Sequence, residues 1–192
     1  CILRQLKDRS MVGDILDTIL PRRDLGADRG PLIAMLGDLK IKRAVPHLLG
    51  QLDDEHVLEF VLQSLGRIAP GDHVELLRRH LTYPDALVQM AAAEALRRAG
   101  DTSGIRVLLE LARTDDEDLQ REVTAALKRF KSHPREAAEA LAVIVEQLES
   151  HDVQDPIARD VQYALGEITG NRVLLTAAGW RAWIREQFPA DT

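Results

Sequence analysis

AEALRRAGDTSGIRVLLELA, residues 93–112, leaves one apolar helical pattern, crosses a short polar break and enters another. Leu96 lies at the centre of the first pattern, and Leu65, Leu127 and Leu165 have the same surroundings. Eight residues before these anchors stand Val57, Val88, Leu119 and Ile157; four before stand Val61, Ala92, Val123 and Val161. Small residues directly precede them (Ser64, Ala95, Ala126, Ala164), and Ile68, Ala99, Phe130 and Ile168 follow three places on. On a helix of 3.6 residues per turn these positions form one stripe about 100° wide, the apolar face of an amphipathic helix. A weaker copy fits Leu32, Met35, Leu36 and Leu39, with Asp28 at its first position.

Each such helix follows another. AVPHLLGQL (44–52), HVELLRRHL (73–81), GIRVLLELA (104–112) and EALAVIVEQL (139–148) repeat apolar residues at i, i+3 and i+4, and MVGDILDTIL (11–20) precedes the weaker copy. The unit is a helical hairpin. Asp54, Asp85, Asp116 and Asp155 stand where second helices begin, the last followed by Pro156. An N-cap Asp accepts hydrogen bonds from the free N–H groups and suits the positive end of the helix dipole. Gly-Asp pairs at 37–38, 71–72 and 100–101 mark the joints between hairpins. Anchor spacings of 29, 31, 31 and 38 residues describe a repeat array in which each hairpin buries its stripe against its neighbours. The longest step contains KSHPRE (131–136), read as an insertion with a longer first helix.

Composition agrees. The chain has 192 residues, 45% apolar and only 4% aromatic, which favours helices over a sandwich or barrel and suffices for a substantial core. A net charge of −6 speaks against nucleic acid and anionic lipid as general partners. The lone cysteine, Cys1, leaves no disulfide framework and no CxxC site. A first residue other than Met is read as an excerpt of a longer protein, and a cytoplasmic location is expected, with a lipoprotein anchored through Cys1 as the alternative. No run of 18 apolar residues offers a membrane-spanning helix.

The residues AVPHLLGQLDDEHV…LQSLGRI (44–68), IRVLLELARTDDEDLQREVTAALKRF (105–130) and PIARDVQYALGEITG (156–170) resemble HEAT repeats, particularly the short bacterial HEAT-like type also found in phycobilin lyases. Pro46, Asp115 and Arg121 match positions that such repeats often carry, and GWRAWIREQF (179–188) is similar to the Trp-x-x-Trp tail after some bacterial arrays. The resemblance implies an all-α, right-handed α-solenoid of about five hairpins. We expect one HEAT-like domain over 1–192, with N-terminal helices to 30, repeats over 31–170 and a C-terminal cap over 171–192, in which Trp180 and Trp183 close the last repeat. Most members of the family are scaffolds or adaptors. A minority are enzymes, so fold alone does not choose.

Catalytic motifs are missing: HExxH, GxSxG, the P-loop and GxGxxG do not occur, and six histidines are scattered. His73 and His80, seven apart, are two turns from each other, so no metal or other cofactor is expected. The more informative positions lie opposite the apolar stripe: Glu59, Gln63 and Gly66; Met90, Glu94 and Arg97; Arg121, Ala125 and Lys128; Arg159, Tyr163 and Gly166. Beside them Arg67, Arg98 and Arg129 share one template position, a basic ladder on an acidic chain. The ladder has two readings. Its members are solvated helix ends, Arg121 pairing with Asp115 or a neighbouring turn, or they receive an acidic segment of a partner protein. The expected binding set is Arg67, Arg97, Arg98, Arg121, Lys128, Arg129, Arg159 and Tyr163, with exposed apolar positions near Leu58, Leu62 and Met90 as the substitute contact. The expected function is a non-catalytic protein–protein scaffold or adaptor that presents a concave, partly basic surface, the face that second helices line in this family; the alternative is a HEAT-like enzyme of the phycobilin-lyase kind.

Overall fold

The structure, a computed structural model, describes residues 9–131, 134–148, 156–170 and 176–188; the side chains of 9–11, 147–148 and 156–158 are outside the description. The Cys1, His133, His151 and Asp155 readings therefore fall outside it, as does the side chain of Ile157. Every regular element among the described residues is helical.

The helices are α1 (Arg9–Asp14), α2 (Gly30–Asp38), α3 (Val45–Leu49), α4 (Leu58–Ile68), α5 (Val74–Arg79), α6 (Ala86–Arg98), α7 (Gly104–Leu111), α8 (Glu117–Leu127), α9 (Pro134–Leu148), α10 (Pro156–Thr169) and α11 (Ala177–Gln187). The first continues as a π-helical turn, Ile15–Ile19. Short 3₁₀ turns lead into α2 and α3 and extend α5. The first helix of the 139–148 segment is longer than its counterparts, running over Pro134–Leu148, as the 38-residue step implies. No helix among the described residues is long and apolar enough to cross a membrane.

The chain forms two compact units, 1–101 and 102–192. In the first, the second helices α2, α4 and α6 pack in succession, with α3 closing on α4 and α5 on α6. In the second, α7 packs on α8 and α9, α8 on α10, and α9 on both α10 and α11. The template stripe supplies these cores: Val57, just before α4, and Val61 and Leu65 in it, Val88, Ala92 and Leu96 in α6, and Val123 and Leu127 in α8 are all buried. Each leaves water on folding and gains roughly 25 cal/mol per Å² of apolar area covered.

Successive second helices of the first unit approach through their small residues. A Cβ on Gly66 would lie 2.5 Å from the Cβ and 2.6 Å from the Cα of Ala95, and one on Gly37 would lie 2.9 Å from the Cα of Ser64. Ser64 Oγ donates to Ile33 O at 2.9 Å, so its buried hydroxyl is satisfied. Gly71 and Gly100 turn in the left-handed region, at φ 94° and 79°, as the Gly-Asp pairs predict. The pair at 37–38 behaves otherwise. Both residues belong to α2, and the positive φ at that joint, 52°, falls on Lys40.

Two of the predicted caps are in place. Asp85 accepts from the N–H groups of Leu87 and Val88 at 2.8 and 3.2 Å, and Asp116 from those of Asp118 and Leu119 at 2.9 and 3.1 Å. Asp54 does not cap. Helix α4 begins at Leu58 without a side-chain cap, and Asp54 turns inward to Arg29. The weaker copy shifts likewise: Asp28 is exposed on the 3₁₀ turn before α2.

Candidate functional site

The face opposite the apolar stripe differs between the units. In the first it is largely covered: Gly66 faces Ala95, and Met90 is 9% exposed. Leu58 and Leu62 are buried as well, so the substitute contact near Leu58, Leu62 and Met90 is corrected. These three side chains serve helix packing. The charges beside them are engaged: Arg97 donates to both carboxylate oxygens of Glu94 at 2.8 and 2.9 Å, and Arg98 reaches the same carboxylate at 3.1 Å. The Glu94 hydrogen bond, opposed by burial and aided by Glu94 charge, raises the pKa of Arg97. Arg67 lies 3.5 Å from Asp38.

In the second unit the corresponding face is open. Arg121 and Ala125 on α8, and Arg159 and Tyr163 on α10, are exposed, and Lys128 is half-buried at the C-terminal end of α8. Tyr163 is 63% exposed, an unusual state for a large aromatic ring. The ammonium of Lys128 sits 5.0 Å from its ring centroid, within cation–π range. Glu167, one turn beyond Tyr163, holds the same ammonium at 3.2 Å. Arg121 donates to Asp118 at 2.5 Å and to Glu117 at 3.3 Å, partners within its own helix rather than Asp115. Arg129, exposed, has an interaction of its own.

The predicted binding residues are thus divided: Arg67, Arg97 and Arg98 belong to the first unit, Arg121, Lys128, Arg129, Arg159 and Tyr163 to the second. The sequence reading missed Asp38 and Glu167, the carboxylates beside Arg67 and Lys128. Its own register contained the signal, because Asp38 and Glu167 occupy the template position of Arg67, Arg98 and Arg129. The ladder reads Asp, Arg, Arg, Arg, Glu.

The other polar features have structural occupations. His80 Nδ1 lies 2.9 Å from Leu76 O, and the ring stacks on Tyr83 at 6.2 Å; among the described residues no group of His, Cys, Asp and Glu is arranged for a metal ion. Trp180 is fully buried and donates to Gln162 Oε1 at 2.7 Å, and Trp183 meets it edge to face at 5.8 Å. Arg29 was also missed. It is fully buried and donates to Leu20 O at 2.9 Å, Gln51 Oε1 at 2.8 Å, Gly26 O at 3.2 Å and the carboxylate of Asp54.

No curated protein matches the chain. A family model described as HEAT repeats matches residues 45–128, from the first residue of α3 to the residue that follows α8, which is three complete hairpins. Over these three hairpins the chain is similar to HEAT repeats.

Proposed function

We propose that the chain is a non-catalytic protein-interaction module whose docking face is the open side of α8 and α10, with Tyr163 as the anchor and Arg121, Lys128 and Arg159 around it. HEAT repeats commonly mediate protein–protein interaction. The observation that carries the reading is Tyr163: a ring 63% exposed, amid charged groups and beside an ammonium, is the kind of residue that dominates interface energetics. Buried acid–base chemistry has little support here. The buried carboxylate among the described residues, Asp54, is bound to Arg29, and no described histidine is buried.

The test is affinity capture with the full-length protein. Tyr163→Ala combined with Arg121→Glu should abolish recovery of partners that wild type retains, with helical content unchanged by circular dichroism. Undiminished recovery by the double variant contradicts the assignment of the face.

A further inference from the structure

The docking face holds carboxylates of its own, and their placement says what the partner brings. Glu167 and Lys128 are each 34% exposed and 3.2 Å apart, with the ammonium simultaneously over Tyr163. Two turns back along α8, Arg121 is held by Glu117 and Asp118 in the same manner. None of these pairs is deeply buried, and such pairs contribute little, about 0.2–1 kcal/mol each. They fix each cation in position while remaining cheap to exchange.

We infer that Glu167 is a placeholder for a carboxylate of the partner: an acidic segment with an apolar residue beside its acid displaces Glu167 from Lys128 and lays the apolar side chain on Tyr163 and Ala125. The charge at the solvent-facing template positions, rather than the total charge around them, selects this occupant. The four solvent-facing template positions that carry large side chains here are Arg121, Lys128, Arg159 and Tyr163, three cations and an aromatic ring, with Ala125 as a low shelf between. The acids Glu117, Asp118, Asp160 and Glu167 flank these positions. An incoming carboxylate exchanges one exposed ion pair for another while the ring gains apolar contact, so the exchange favours a segment that carries both. This inference rests on the proposed docking face.

The probe is a short fluorescein-labelled peptide alternating Glu and Leu, measured by anisotropy against the full chain, with a Gln-for-Glu peptide as reference. Wild type should prefer the acidic peptide, and that preference should fade at about 0.5 M salt, where screening acts over a few ångströms. Glu167→Gln should tighten the acidic peptide by about two- to fivefold, the worth of one exposed pair, without changing the reference peptide. Lys128→Met should erase the preference, Tyr163→Ala should weaken both peptides, and Arg106→Glu, on the first helix α7, should change neither. An unchanged or weaker affinity in Glu167→Gln overturns the placeholder. Equal binding of both peptides by wild type overturns the acidic occupant, whereas the docking face itself fails if partner capture survives Tyr163→Ala with Arg121→Glu.

Discussion

Arg29 is a buried cation with four acceptors: the carbonyls that end two turns, one amide oxygen and one carboxylate. Removing either member of such a pair strands the other without water, at a cost of about 3–5 kcal/mol. Arg29→Met should therefore lower stability in urea by that amount, and a loss below about 1 kcal/mol would contradict the network. Replacing both, with Arg29→Met and Asp54→Leu together, should cost less than the sum of the single changes. The pair also sets an acid limit. Burial pushes the Asp54 carboxyl upward, but hydrogen bonding and charge from Arg29 outweigh it and hold the pKa below the usual value. A depressed folded pKa gives stability that is complete above the unfolded value, near 3.9, and lost as pH falls through the folded one. Asp54→Asn should lower stability at neutral pH and flatten the acid limb of urea midpoints; an equally steep limb would contradict the assignment. None of this was legible beforehand. An Asp just before a helix reads equally as a cap or as half of an ion pair, and Arg29 lies outside every template position.

Helix ends and helix contacts follow more general rules, and there the repeat pattern carried further. Asp85 and Asp116 each satisfy two N–H groups, so Asp85→Ala or Asp116→Ala should cost about 0.5–2 kcal/mol in chemical denaturation. A loss no larger than that of an exposed Glu→Ala would remove the caps from the account. Gly66 sets two effects against each other. Alanine would gain up to about 1 kcal/mol of helix propensity, but its Cβ would press on the backbone of Ala95 at 2.6 Å, and overpacking costs about 1–3 kcal/mol. Gly66→Ala should therefore destabilise, and a stabilised variant would show that α4 and α6 do not approach so closely. The stripe, the caps at 85 and 116 and the glycine turns at 71 and 100 were legible because each depends on local spacing. Gly37 was not, since its requirement comes from Ser64 on another helix.

At the scale of the molecule, a hairpin array divided into two compact units presents different second-helix faces in each. The hairpin organisation was visible in the period of 31 residues, because stacked repeats demand the same residue at the same place. The difference between the faces was not, because Met90 and Tyr163 look equally suited to solvent until neighbouring helices cover one of them. The core that supports the open face is centred on Leu127, fully buried, and Leu127→Ala should destabilise by about 2–5 kcal/mol. A scanning measurement that finds less than about 1 kcal/mol would place the register elsewhere. The central claim, that partners dock on α8 and α10, is tested most directly by site-specific photo-crosslinking in living cells. With a benzophenone side chain in place of Tyr163, the account predicts one discrete protein adduct that is absent when the same group replaces Arg106. Adducts from Arg106 and none from Tyr163 would contradict it.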